Sequence, residues 1–458
     1  MNSLIILSIT GITLLFAGLG KSKWVLFTIG IAGLITAGIL TLADWGKNEA
    51  LFNKMIIIDD YSTAFNFSII FTTLMIFLIS SNYIRNANKY LAEIYALMIF
   101  ALIGGCIMTS FGNMVTLFMG IETLSIPLYV LAGSRKTSIA SNEASFKYFI
   151  LGSFATAFFL LGVALIYGAS GTFNTNEISS YILLHQTQIP KIFYTGIIIL
   201  IIGLCFKIAA IPFHFWSPDV YEGAPTLVTT FMATVVKTAG FAAIFRLLQN
   251  AFSNLSVYWQ TILWIITLLT LLISALAALN QTGMKRLMAY SGISNSGFIL
   301  LAVLAMNSMS PGAILFYTFT YALGTIIVFG MIMLHQEYTG SDSILSFEGF
   351  GRANPVSGII FTLALLSLTG IPVTGGFFAK YYIFLTAIHS NFIWIVVIGV
   401  ITTVISIYYY FKIINALWKE NRCQKKIPLI IPFRTAFLIC SILIILTGIF
   451  PDYLIRLL

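Results

Sequence analysis

Charge is what this sequence has least of: only 9% of its 458 residues are Asp, Glu, Lys or Arg, and 15 in all are acidic. With 59% apolar residues besides, the chain has too little polar material to coat a water-soluble globule. Histidine and cysteine are scarce too, at four each. Cys106, Cys205, Cys423 and Cys440 stand far apart, without a Cys-x-x-Cys pair or a neighbouring histidine, so zinc, iron–sulfur and disulfide frameworks have no support. They read as apolar fillers. No nucleotide fingerprint, haem pair or flavin site is visible either, so neither a cofactor, a metal nor a quinone site is expected on this chain. A net charge of +9 would suggest nucleic acid for a soluble protein, but here the basic residues are scattered in short loops between apolar runs, and a membrane explains them better.

Apolar runs are what the sequence has in abundance. Bilayer hydrocarbon is about 30 Å thick and a helix rises about 1.5 Å per residue, so each crossing takes roughly 20 apolar residues. The predicted fold is all-α, a polytopic integral membrane protein of about 14 transmembrane helices in a single domain over 1–458. Within it, 1–80 holds helices 1–3, 90–249 a first five-helix repeat, 257–416 a second, and 429–458 the C-terminal helix. The run opening at Ile5 has its positive charges on the far side, at Lys21 and Lys23, so it reads as a retained helix and not a signal peptide.

Basic residues divide unevenly between the two sets of loops. Fifteen, among them Lys21, Arg85, Lys89, Lys147, Lys285, Arg286, Arg422 and Lys425, follow odd-numbered spans, against five after even-numbered spans: Lys47, Lys54, Lys191, Arg246 and Arg456. The positive-inside rule then places both termini on the non-cytoplasmic side of a bacterial inner membrane. Lys207, Lys237, Lys380 and Lys412 remain inside spans, with the acids Glu93 and Glu122. A charge at bilayer depth costs on the order of 3 kcal/mol, so such residues are functional candidates. Lys412, a few residues from a span end, is expected to snorkel.

The candidates carry patterns of their own. Thr230, Thr234, Lys237 and Thr238 form one polar stripe on the span 225–249, of the kind that lines something wet. Glu122 lies mid-span with Ser125 one turn on and Pro127 loosening the ladder. A glutamate beside a buried lysine is a one-proton switch, because each charge biases the other, and lysine can release its proton near neutrality where arginine cannot. Lys207 precedes Pro212, and Lys380 follows Pro372 in the overlong run 355–385, so spans 7 and 12 are expected to be broken, as tolerated only where backbone is buried or lines water. Aligning Ile211-Pro212 with Ile371-Pro372 relates spans 4–8 to 9–13 as inverted repeats, a transporter feature. Tyr290, Ser291, Ser294, Asn295, Ser296, Tyr317, Thr318, Tyr321 and Thr325 supply hydroxyls and amides between the lysines, as a water file or as interhelical glue.

Three stretches carry a resemblance. The run from Lys207 to Pro225, with Phe213-His214-Phe215-Trp216-Ser217-Pro218-Asp219-Val220-Tyr221-Glu222-Gly223-Ala224-Pro225, resembles the signature of subunit N of respiratory NADH:quinone oxidoreductase, complex I. So do Ser141 to Phe149 and Lys285 to Ser291. The resemblance implies an antiporter-like, proton-translocating membrane-arm subunit with no redox centre of its own. NADH, FMN, iron–sulfur clusters and quinone would be handled by other subunits of the complex. It implies Glu122 as the acid of a Glu–Lys pair, Lys207 as its partner, Lys237 as the central lysine, Lys380 as the terminal one and Glu93 as a further acid. Implied partners are an antiporter-like neighbour on one side and small helical subunits on the other.

Two departures stand out: Asn295 replaces a histidine common in relatives, and no segment after Phe450 is expected to form the long lateral helix of sister subunits. A multisubunit sodium/proton antiporter and a structural subunit without its own proton path are the alternatives. His214, Asp219 and Glu222 read as loop architecture or as a proton entry.

Overall fold

The computed structural model describes residues 1–20, 22–81, 90–185, 188–420 and 426–457. Lys21, Arg85, Lys89, Arg422, Cys423 and Lys425 lie outside the described residues. The principal helices are α1 (Asn2–Ala17), α2 (Lys23–Leu42), α3 (Asp60–Ile79), α4 (Leu91–Ser110), α5 (Met114–Ala132), α6 (Ile139–Ser170), α7 (Thr175–Leu184), α8 (Lys191–Lys207) and α9 (Trp216–Gly223). They continue as α10 (Thr226–Phe231), α11 (Lys237–Phe252), α12 (Ser256–Leu279), α13 (Met284–Ala305), α14 (Ser310–Thr339), α15 (Pro355–Thr369), α16 (Gly375–His389), α17 (Ile393–Trp418) and α18 (Ile431–Ile449). A small antiparallel hairpin pairs β1 (Glu49–Leu51) with β2 (Ile56–Ile58).

Ten helical stretches among the described residues are long and apolar enough to cross a bilayer, and α1 and α15 are shorter apolar helices. One of the ten, Thr226–Leu279, runs 54 residues. At about 1.5 Å per residue that is roughly 80 Å, far more than one crossing, and the turn at Ser253–Leu255 divides it. The run 355–385 is likewise broken, between Thr369 and Gly375.

The helices form a hub and a ring. Helices α13 and α14 are 94% buried in their apolar windows, whereas α6 is 28% buried and turns Phe146, Phe154 and Phe158 outward. In a bilayer the exposed phenylalanines and isoleucines of the ring need no cover, and the hub is where polar groups find protein partners. Helix ends are fixed locally: Asp59 caps α3 in a reciprocal box with Ser62, and Asn113 caps α5 by accepting from the Val115 N–H. Helix α6 begins well before its apolar run, because the polar first turns that carry Glu143 and Lys147 are helical but not apolar.

Candidate functional site

Helix α8 ends at Lys207, and the chain crosses to α9 through 208–215 without helical backbone. Its freed polar groups are taken up from the surroundings. Trp216 Nε1 donates to the Phe206 carbonyl at 3.1 Å, Thr270 Oγ1 accepts from the Ile211 N–H at 3.0 Å, and Ser296 Oγ donates to the Ile208 carbonyl at 2.9 Å. The break thus holds Lys207 at the end of a helix facing α5. Its amine, 6% exposed, donates to Ser125 Oγ, which in turn donates to the Ile121 carbonyl. Glu122 stands one turn from Ser125, half-buried, and accepts from Thr156 Oγ1 at 2.8 Å. Glu122 and Lys207 make no ion pair among the described residues; the amine rests instead on Ser125, one turn from Glu122.

Lys237 follows a π-helical turn, Met232–Val236, that interrupts the regular ladder between α10 and α11. One extra residue in the turn rotates the rest of the helix about its axis, and such bulges mark functional positions. The turn aims the Lys237 amine at α13, where it donates to the Gly292 carbonyl. A Cβ at Gly292 would lie 2.9 Å from the Lys237 Nζ and 3.0 Å from the Tyr321 hydroxyl, so a side chain there would displace the lysine amine. The same carbonyl accepts from Ser296 Oγ at 3.1 Å. Ser296, with a single proton, thus has two carbonyls in reach, that of Ile208 at the end of α8 and that of Gly292 one turn back in its own helix, and donates to one at a time. The threonine stripe is less open than expected. Thr230, Thr234 and Thr238 each donate to the carbonyl four residues back, so their protons are spent within their own helix and only acceptor capacity remains.

Beyond Lys237, Tyr321 offers its ring face 5.7 Å from the amine. Asn295 accepts from the Tyr317 hydroxyl at 2.6 Å and donates to the Ser291 carbonyl at 2.8 Å, and Ser291 Oγ pairs with the Tyr410 hydroxyl. Ser294 and Thr325 have hydroxyl oxygens without a partner among the described residues. Lys380, on the second half of the broken span, donates to the Thr369 carbonyl at the end of α15, at 2.8 Å, and lies 4.9 Å from the Phe298 ring centre. The broken ends thus give the lysine the negative end of a helix. Gly370 turns the chain there with φ +89°, and a Cβ on it would meet the Lys380 side chain at 3.0 Å.

Lys412 reaches the Gln281 carbonyl at 3.2 Å, half-buried near a helix end, as a snorkelling lysine does. Glu93 lies inside the candidate span Leu91–Ser110, in the first turn of α4 with its side chain exposed, where a helix N-terminus favours a carboxylate. Two basic residues assigned to loops are corrected. Arg246 is 3% exposed within α11, forked onto both Asp59 oxygens at 3.1 and 2.7 Å and donating to the Thr109 carbonyl at 3.0 Å. Lys285 is 2% exposed in the first turn of α13 and donates to the Glu222 and Ala224 carbonyls, both at 2.6 Å, closing the end of α9. No sequence signal distinguished them, since both stand where apolar runs meet polar residues.

The three recognisable stretches meet in one ion-pair cluster. Lys147 bridges Glu143 and Asp219, both at 2.7 Å, and Arg286 bridges Asp219 at 3.0 Å and Glu222 at 2.8 Å. Burial alone would raise the Asp219 carboxyl, but Lys147 and Arg286 outweigh it and hold the group below the usual carboxylate range, so it is ionised at neutral pH. His214 lies nearby in sequence, buried, with Nδ1 unpartnered among the described residues.

Among known proteins, a family model described as NADH:quinone oxidoreductase/Mrp antiporter, TM, matches residues 112–406. The NADH-quinone oxidoreductase subunit N of Cytophaga hutchinsonii is 37% identical over 460 residues, covering 100% of this chain and 99% of the relative. A chain of respiratory complex I from Thermus thermophilus, solved with bound aureothin, has the same fold at a TM-score of 0.84 and 30% identity, covering 99% of this chain and 98% of that one. A chain of the Mrp complex from Dietzia sp. DQ12-45-1b gives a TM-score of 0.88 at 19% identity over 99% and 95% of the two chains, a likeness of fold alone.

Proposed function

The chain belongs to the NADH:quinone oxidoreductase/Mrp antiporter transmembrane family, and on that premise we propose that its buried glutamate and lysines are the proton path of subunit N in complex I. The observation that carries this reading is Ser296. One hydroxyl, with one proton to give, reaches both the Ile208 carbonyl, one residue on from Lys207, and the Gly292 carbonyl that accepts from Lys237, so a polar group lies between the end of the helix that carries Lys207 and the carbonyl that holds Lys237. Glu122 and Lys207 form the entry pair through Ser125, Lys237 is the central station, and Lys380 is the terminal one. The Asn295, Tyr317, Ser291 and Tyr410 network links the centre to the terminal lysine, in place of a histidine. Glu93 is a further acid at the chain's surface, placed to act with a neighbouring subunit.

Redox chemistry belongs to other subunits, and this chain responds to it by moving charge. The membrane is a bacterial inner membrane, crossed about 14 times with both termini on the non-cytoplasmic side. The 1–458 domain comprises helices 1–3 in 1–80, inverted repeats at 90–249 and 257–416, and a last helix in 429–458. Repeated close packing supports the repeats. In the first half Gly104 abuts the backbone of α5 and Gly162 that of α8; in the second, Gly297 abuts α12 and Gly324 meets Leu368 of α15. The partners are an antiporter-like subunit on one side and small helical subunits on the other.

The Mrp likeness sets the competing reading, obligatory sodium/proton exchange. In liposomes made without sodium, the reconstituted complex is expected to acidify the lumen on NADH addition at the same rate as with sodium. A sodium requirement would overturn proton translocation as the activity of this chain.

A further inference from the structure

On the side of the molecule that carries Arg352 and Lys419, a groove of about 540 Å³ opens where α15 and α18 begin. That volume lies in the range of small-molecule sites, about 300 to 1,000 Å³. Val356, Ile427 and Leu429 make its wall apolar, while Ser357, Lys426 and Arg434 supply its polar groups. The neighbouring cations are satisfied: Arg352 pairs with Glu420 at 2.9 Å and Lys419 with Glu348 at 2.7 Å. Lys426 and Arg434 are different. Both are exposed, and among the described residues neither has a carboxylate partner. Two like charges lining one concavity repel unless an anion joins them.

Backbone adds to the same sign. Helix α15 starts at Pro355, so the N–H groups of its first turn, Val356 and Ser357 among them, point out of the helix with its positive end. The ligand this combination fits has a single anionic centre for the two cations and an apolar body for the wall between two membrane helices. Basic pockets between membrane helices take phospholipid headgroups for this reason. We propose that the groove binds an anionic phospholipid, with its phosphodiester between Lys426 and Arg434 and its acyl chains along α15 and α18. The site is remote from Glu122, Lys207 and Lys237 in the chain and stands or falls independently of the proton path.

The test uses the purified complex carrying a Lys426→Gln/Arg434→Gln chain, with Lys54→Gln/Lys191→Gln as a control of equal charge loss elsewhere. Phosphatidylglycerol retained through stepwise delipidation is counted by mass spectrometry, and its rebinding is titrated. The groove variant is expected to retain one phosphatidylglycerol fewer and to rebind it roughly twenty-fivefold more weakly, about fivefold per cation, with the control unchanged. Phosphatidylcholine and inorganic phosphate are expected not to compete. Unchanged retention would overturn the proposal, and so would competition by inorganic phosphate, which would make the groove a free-anion site. Loss of a neighbouring subunit with the lipid still bound would also overturn it, identifying the groove as a protein contact.

Discussion

Replacing Lys237 by alanine is expected to lower NADH-driven proton translocation by the reconstituted complex about tenfold or more, equivalent to about 1.4 kcal/mol or more on the barrier. Lys237 is 3% exposed, and its amine is held on the Gly292 carbonyl, which the Ser296 hydroxyl also reaches. A proton driven against about 150 to 200 mV requires roughly 3.5 to 4.6 kcal/mol, and a station that can be charged and discharged divides that climb. Lys237→Arg is expected to be nearly as inactive, because a guanidinium stays protonated and cannot hand its proton on. NADH oxidation by a soluble artificial acceptor checks that the rest of the complex is assembled and redox-active. Normal pumping by an assembled Lys237→Ala complex would leave the chain a structural subunit.

The second large effect falls on assembly. Arg246→Ala removes a fork from Asp59 and a donor from the Thr109 carbonyl, contacts that tie α11 to the start of α3 and the end of α4. Breaking a buried pair by removing one partner costs about 3 to 5 kcal/mol. Asp59 is 32% exposed and also caps α3, so about 2 to 3 kcal/mol is the expected loss here. Arg246→Lys keeps the charge but not the fork and is expected to recover part of it. The level of the chain in membranes and the midpoint of thermal unfolding of the complex measure this. An Arg246→Ala chain assembling at the normal level and midpoint would show that the ion pair contributes nothing.

The membrane class was legible because hydropathy is a sum over many residues, and so was the interruption of the two lysine-bearing spans, since proline and excess length leave marks on a sequence. Lys207, Lys237 and Lys380 were legible for the opposite reason, as single charges in apolar surroundings. Their partners were not. Gly292, Thr369 and Ile208 contribute backbone carbonyls, which every residue has and no sequence pattern advertises. The π-helical turn before Lys237 left no signal, because Met232 to Val236 is an ordinary apolar run.

Errors clustered at the ends of spans. Arg246 and Lys285 looked like loop residues because hydropathy locates apolar runs and not the neighbours that cover a charge; Asp59 and the end of α9 came from elsewhere in the chain. Glu93 does lie inside a span, as its apolar surroundings imply, but hydropathy gave no sign that the first turn of α4 leaves its side chain exposed. The stretches around Lys147, Asp219 and Arg286 were recognisable as motifs, yet only folding brings them into one cluster.

Redox-induced infrared difference spectroscopy of the complex tests the central claim most directly, because it reads protonation at a single carboxyl. Addition of NADH is expected to produce a carboxyl band that disappears in Glu122→Gln and shifts in Lys207→Ala, as it must if acid and amine exchange influence through Ser125. A spectrum with no Glu122 band, or with one indifferent to Lys207, would contradict the account.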